Sequence, residues 1–385
     1  MSFDSFHGSK LGVFLESALG ARGLEGGDSL SGNLLASGTF FNLEGNPSFQ
    51  SRLARFDGSQ WNRVGTTGNS INEINGSIYA MEIFQNALYI GGNFSVVGPN
   101  GFVSASRIAR FDLITNTWSA LGTGLNATCY ALKAHAGLLF IAGSFTQAGP
   151  LTSLGNMIAW DGSSFVSVGT PIVLPGGDSK RINAFAIHGG SLYVGGRTRI
   201  NQALLARYDG GSSWSQCTYT PAPSSSAEVY SFGTYQGNLL AVGNPIFNSP
   251  GFFLGKIAGL SVSPLRVRIT PAGSSSWPTS AVEFQGSLIV KMIALPDGLK
   301  KLNPSNTTPL TPDGTLEPYP VYTGVGGSSG YLAEQIALYQ GNLVADSGTK
   351  KPGNVAGVAT YSGSGNWVKL GAPTITFANR FLVVP

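Results

Sequence analysis

The sequence predicts an all-β fold assembled from repeated four-stranded units, and three observations predict it. A short apolar run ending in glycine recurs: Leu88-Tyr89-Ile90-Gly91-Gly92-Asn93-Phe94, Leu139-Phe140-Ile141-Ala142-Gly143-Ser144-Phe145 and Leu192-Tyr193-Val194-Gly195-Gly196, with an earlier form at Leu34-Leu35-Ala36-Ser37-Gly38-Thr39-Phe40. The copies lie about 50 residues apart, a period that marks a repeat architecture. The composition agrees. Glycine is 54 of 385 residues and charged residues only 11%, while 42% hydrophobic and 11% aromatic residues supply a core. Glycine is thus about twice its usual share and charge roughly half, which suits many tight turns and argues against long surface helices.

Within one unit the strands can be taken in order. Ser77 to Phe84 is an apolar run, strand a, closed by a turn at Gln85-Asn86. Leu88 to Phe94 is strand b, followed by a loop rich in glycine, proline and serine. Arg107-Ile108-Ala109-Arg110-Phe111-Asp112 alternates with the period of a half-buried strand, c. Trp118-Ser119-Ala120-Leu121-Gly122 is strand d. The next unit runs Cys129–His135, Leu139–Phe145, Met157–Asp161 and Phe165–Gly169; the one after runs Ile182–His188, Leu192–Gly196, Leu204–Asp209 and Trp214–Cys217. An earlier unit supplies Leu34–Phe40, Arg52–Asp57 and Trp61–Gly65. Three c–d connections read Asp-Gly, at Asp57-Gly58, Asp161-Gly162 and Asp209-Gly210. Between apolar runs this pair favours a tight hairpin with positive φ, so c and d are expected as antiparallel neighbours.

The second half keeps the register through aromatic-Gln pairs, Tyr235-Gln236, Phe284-Gln285 and Tyr339-Gln340, each just before a new strand b. Strand b then begins at Leu34, Leu88, Leu139, Leu192, Leu239, Leu288, Leu343 and Phe381. Four positions earlier stands a mostly aromatic column that includes His135 and His188. Four short strands in about 50 residues is the unit of a β-propeller blade. The ends complete the count. Phe14 to Gly20 reads as a strand d and Ser2 to His7 as a strand c, while Thr374–Phe377 and Phe381–Val384 read as a and b. The expectation is one propeller domain over residues 1–385, with 1–33 and 372–385 jointly forming the closing blade; the spacing favours eight blades and admits seven. Pairing of the two ends would remove the free edges of a split ring.

The runs at 88–94, 107–112 and 118–122 resemble the kelch-related repeats of fungal cortical cell-polarity markers and similar bacterial surface proteins. The likeness is clear over roughly 34–215 and degenerate from 216 to 385. It implies a β-propeller that serves as a surface interaction module without enzymatic activity. The residues that carry it are fold positions and bring no functional residues with them.

Several function classes are disfavoured by the residues. The net charge is +4, but the basic residues are scattered or in pairs such as Lys300-Lys301, whereas a nucleic-acid surface wants clustering. No window approaches 18 unbroken apolar residues, so no membrane span is expected. The start, Met1-Ser2-Phe3-Asp4-Ser5-Phe6-His7, shows no signal peptide. Cys129 and Cys217 are too few for a disulfide framework or zinc site and read as buried thiols. No nucleophile elbow, metalloprotease helix or phosphate loop is present, and no cofactor or metal is expected. His135 and His188 read as rings packed at the a–b turn, and Asp57, Asp112, Asp161 and Asp209 as hairpin residues. Glu283 and Glu334 fall on strands a, expected to line the central channel, and are the carboxylates to examine for glycan hydrolysis or lyase chemistry.

Antiparallel succession puts the a–b and c–d turns on one face and the longer b–c and d–a loops on the other. A rigid scaffold usually carries binding on its long loops. The candidate binding residues are therefore Phe102, Lys180, Arg181, Arg199, Trp277, Tyr319, Tyr322, Tyr331, Lys350 and Lys351. Aromatic rings with arginine suit protein contacts and also stack on sugars. The sequence thus favours a non-enzymatic structural, interaction or attachment module for a protein partner or surface glycan. Such a module could be part of a larger assembly, a virion or phage tail or an extracellular adhesive surface.

Overall fold

The structure is a computed structural model. It describes residues 33–41, 43, 50–65, 74–99, 102–169, 179–198, 203–220, 227–244, 254–265, 267–268, 278–292, 299–302, 314–318, 336–346, 358–363, 368–370 and 374–383. The strand c and strand d expected before residue 33, and the b–c and d–a loops at 170–178, 221–226, 269–277 and 319–335, lie outside the described residues.

Every unit read in residues 34–217 forms. Cys129–His135 is strand a of its sheet, and Leu138–Gly143, Met157–Trp160 and Phe165–Val166 follow as b, c and d. The sheets are antiparallel ladders in the order a-b-c-d. The fold is an all-β propeller of four-stranded blades. The strands a are Thr374–Val383, Ile78–Phe84, Cys129–His135, Ser179–His188, Glu228–Tyr235, Pro278–Phe284 and Ile336–Tyr339. Each packs against strand a of the next sheet, and Ile336–Tyr339 packs on Thr374–Val383. These strands are the ones through which successive blades pack. We number the blades from the one that contains Leu34.

The described residues thus hold seven sheets of four or five strands, not the eight that the spacing favoured. The reason lies in the last repeat. Thr374–Val383 is one continuous strand rather than a separate a and b, and Phe381 sits inside it. It pairs antiparallel with Leu34–Phe41, Val383 opposite Leu34 and Thr374 opposite Phe41, so it serves as strand a for the first three strands of the chain. Two blades carry a fifth, parallel strand on their outer edge: Thr218–Tyr219 beside Ser261–Pro264, and Val267–Arg268 beside Gly314–Pro318.

Alternation along strand b builds the core. In blade 2, Leu88 and Ile90 pack with Leu35 and Leu53 of blade 1, while Ala87 and Tyr89 pack with Leu139 and Ile141 of blade 3. Successive side chains of a strand point to opposite faces, so each b strand is buried on both sides. Full burial of a leucine or isoleucine contributes about 1.5–3 kcal/mol. The outer strands are tied by tryptophan. Trp214 Nε1 donates to the Val168 carbonyl of the preceding blade at 2.8 Å, and Trp61 Nε1 donates to Leu370 at 2.6 Å, joining blade 1 to blade 7.

The turns divide differently from the sequence expectation. Tight two-residue turns join a to b: Gln85 and Asn86 both have positive φ, as do Gln236-Gly237, Gln285-Gly286 and Gln340-Gly341. Their type I′ twist matches that of the flanking strands. The Asp-Gly turns have the expected positive φ at glycine; those at Asp57 and Asp161 are longer, since Phe56 pairs with Trp61 and Trp160 with Phe165, while at Asp209 the hairpin is tight, with Gly210 opposite Ser213. Aspartate closes them. Asp161 Oδ1 accepts from the amides of Ser164 and Ser163 at 2.8 and 2.7 Å. Those amides, with the Ser163 hydroxyl, hold its carboxyl well below the usual carboxylate range. The two kinds of turn share one face, for Gln85 Nε2 donates to the Asp161 carbonyl of the next blade and Gln285 Nε2 to Ser362.

Candidate functional site

At the opposite end of the ring, strand a is irregular in the same way in five blades. The a–b ladder shifts register between Ile78 and Ala80, Cys129 and Ala131, Ile182 and Ala184, Val229 and Ser231, and Pro278 and Ser280. One residue is left over at each shift: Tyr79, Tyr130, Asn183, Tyr230 and Thr279. A β-bulge of this kind bends its strand and re-aims side chains, and it is common beside functional sites.

The glycines of the recurrent motif make the bulge possible. A Cβ on Gly92 would run into the Ser77 carbonyl, one on Gly143 into Thr128, one on Gly196 into Arg181 and one on Gly243 into Glu228. In each of these b strands the last glycine therefore lies against the backbone that enters the bulge. Glycine inside a strand marks such a close approach. The first glycine serves blade packing, since a Cβ on Gly91 would meet Cys129 of the next blade and one on Gly195 would meet Val229.

The bulges bring side chains of four blades together. The Tyr79 and Tyr130 rings lie 5.7 Å apart, tilted by 47°, and both are half-buried. Arg181, just before the bulge of blade 4, donates from Nη2 to Glu228 Oε2 of blade 5 at 2.8 Å and from Nε to Oε1. Asn183 Nδ2 donates to Glu228 Oε1 and to the Val229 carbonyl, both at 2.8 Å. Burial works against the Arg181 charge, but the Glu228 carboxylate outweighs it and raises the guanidinium's pKa; Tyr130 and Tyr230 lie close enough to act on it too. Arg197, opposite Arg181 in the ladder, approaches Glu228 at 3.7 Å.

In blades 2 and 3 asparagine fixes the adjacent loops. Asn75 Oδ1 accepts from the amides of Ser95 and Val96, and its Nδ2 donates to the Ser95 hydroxyl. Asn126 repeats this with Thr146 and Gln147. Phe94 and Phe145, fully buried, root the two loops, each of which carries a small hairpin: Val96–Val97 with Val103–Ser104, and Gln147–Ala148 with Leu151–Thr152.

Of the residues predicted for binding, Phe102 stands on the first of these hairpin loops and is 81% exposed. Arg181 belongs to the bulge cluster. Lys180 lies within Ser179–His188, its side chain outside the described set. Arg199, Trp277, Tyr319, Tyr322, Tyr331, Lys350 and Lys351 lie outside the described residues, as does Glu334. Glu283 accepts from the Gln236 amide of the preceding blade at 2.8 Å. His135 packs edge-on to Tyr208 and beside Phe140, and burial lowers its pKa. Cys129 and Cys217 are buried free thiols, each pushed up to about 12 by burial. No group of three metal-ligating side chains occurs among the described residues, and none of their helices is long and apolar enough to cross a membrane.

Sequence reading missed Tyr79, Tyr130, Asn183, Arg197, Glu228 and Tyr230. The signal was there in the Gly-Gly pairs, for a glycine in a strand pattern suggests a bulge in the partner strand.

No family profile and no curated protein matches the chain. Among solved structures it is similar to the computationally designed Ika8 protein, at 13% identity and TM-score 0.42, over 78% of this chain and 76% of that one. It is also similar to YCF48, solved bound to a D1 peptide, at 15% identity and TM-score 0.47, over 79% of this chain and 84% of that one.

Proposed function

We propose that this chain is a non-enzymatic interaction module that binds its partner with the bulged end of the ring and the loops around it. The observation that carries the reading is the bulge repeated in five blades, which gathers Tyr79, Tyr130 and Arg181 from three of them. Rings and arginine on a rigid frame are the chemistry of a recognition surface. Phe102, on a hairpin pinned by Asn75, extends that surface outward.

The state of the carboxylates supports a binding rather than a hydrolytic role. Glycoside hydrolysis needs two carboxyl groups facing one bond, about 5–10 Å apart. Glu82 is held by Lys133 Nζ and the Ala134 amide, Glu228 by Arg181 and Asn183, and Glu283 by the Gln236 amide. Each links two blades. The kelch-like character of the repeats, a ring closed by the pairing of Leu34–Phe41 with Thr374–Val383, and a place in a virion, tail or adhesive surface belong to the same reading.

The test is a glycan and peptide array probed with the full chain and with the Tyr79→Ala/Tyr130→Ala double variant. A ligand whose signal disappears in the double variant, with melting temperature retained, is the expected result. A ligand bound equally by both proteins, or turnover of a glycan by the wild type, would contradict the reading.

A further inference from the structure

We infer that Arg181 and Arg197 form a receptor for the carboxylate of an acidic sugar, with the tyrosines of the bulges as its walls. The inference rests on the binding role proposed above and names the ligand class.

Two guanidiniums face one carboxylate, and Glu228 is 2% exposed with both its oxygens engaged by Arg181 and Asn183. Arg197 reaches it only at 3.7 Å, beyond hydrogen-bond distance, and its buried Nε has no partner among the described residues. One positive charge is left over. Both guanidinium side chains remain about a quarter exposed, at 27% for Arg181 and 24% for Arg197. A cation that is held in place and half-shielded, with its counter-ion already committed, is set up for an added anion. The planar fork of arginine fits a carboxylate by paired hydrogen bonds.

The remaining groups narrow the anion. Asn183 Oδ1, fully buried beside the guanidiniums, is an acceptor without a donor among the described residues. A buried polar atom left unpaired is costly, and its partner is supplied by solvent or by ligand. A carboxylate alone brings no proton for it; a sugar hydroxyl, or a water held by one, does. The Tyr79 and Tyr130 rings offer apolar faces beside phenolic hydroxyls, on which the C–H face of a pyranose can lie. A uronic acid carries all three features: an anion, several hydroxyl donors and an apolar ring face. Inorganic phosphate has no apolar face. An acidic peptide has the carboxylate but lacks the hydroxyl-bearing ring.

The test uses calorimetric titration of the full chain with tetragalacturonate, its fully methyl-esterified form, and a tetraglutamate peptide. Tetragalacturonate is expected to bind at least tenfold more tightly than either, with affinity falling as salt is raised. Arg197→Gln, which breaks no hydrogen bond of the cluster, is expected to lower that affinity tenfold or more with melting temperature unchanged. Arg197→Lys, which keeps the charge without the fork, should restore only part. Equal binding of acid and ester, tighter binding of tetraglutamate, or an unchanged Arg197→Gln titration would each overturn the inference. Failure here with an array ligand still lost on Tyr79→Ala/Tyr130→Ala would sink the acidic sugar and leave the binding surface standing.

Discussion

Blades 2 and 3 and blades 4 and 5 share one backbone device and use it in opposite ways. All four bulge strand a at the same place, opposite a glycine of strand b. In blades 2 and 3 the bulge residues are tyrosines, and the nearby loops are pinned by neutral asparagines. In blades 4 and 5 the bulge residues are Asn183 and Tyr230, and charge is added beside them, with Arg181, Arg197 and Glu228 linking one blade to the next. The repeat therefore specifies where the chain opens, and the side chains placed there specify what it holds. The first pair places two tyrosine rings side by side, and the second places an ion pair between blades.

The sharpest way to break this comparison is to remove the carboxylate. Glu228→Ala leaves Arg181 and Asn183 without their shared acceptor and Arg197 without its nearest carboxylate, and loss of one partner of a buried pair costs about 3–5 kcal/mol. Chemical denaturation should show a loss of that size, whereas Glu82→Ala, whose partner Lys133 is a third exposed, should lose far less. Equal losses would erase the distinction between the blade pairs. The shared device is tested next by Gly92→Ala and Gly243→Ala, where a methyl group meets the Ser77 and Glu228 carbonyls. Overpacking of this kind costs about 1–3 kcal/mol, and the two variants should lose alike; a loss in one only would mean that the bulges are not equivalent.

Asn75→Ala and Asn126→Ala should cost less, about 1 kcal/mol each for the hydrogen bonds lost. Their effect should be local: amide exchange at Ser95, Val96, Thr146 and Gln147 quickens while strands b keep their protection. Global loss of protection would show that these loops support the ring rather than sit on it. The smallest effect belongs to the opposite face. The folded-state pKa of Asp161 is depressed by the Ser164 and Ser163 amides, so its contribution is present above the ordinary value of 3.8 and is lost as pH falls below it. Asp161→Asn should melt slightly lower at pH 7 and show a shallower decline on acidification below pH about 4. An identical acid profile in wild type and variant would remove the hairpin role.

The strands were legible because alternation and turn chemistry are local. Cys129 to His135 was read to the residue, and the Leu88 strand differs only in its ends, Ala87–Gly92. Pairing was legible where a turn fixed it, as at Gln85-Asn86. The blade number was not, because Phe381 continues a long strand a that pairs across the whole chain with Leu34–Phe41, and no local pattern distinguishes that from a fresh strand b. The site was half legible. Phe102 follows from loop position; Arg181, expected on a loop, lies in the strand Ser179–His188, and Glu228 stands 47 residues from it and meets it only because neighbouring blades bring their bulges together. Gly196 and Gly243 mark those bulges in the sequence, yet their meaning depends on a carbonyl in the paired strand.

The central claim is that the bulged end of the ring binds and the turn end does not. One array experiment tests it directly, with full-length Arg197→Gln and Gln85→Ala/Asp161→Asn compared with wild type on immobilised acidic and neutral glycans. The ligand found by wild type should be lost with Arg197→Gln and kept by the turn-end double variant. Loss with the turn-end variant and retention with Arg197→Gln would contradict it.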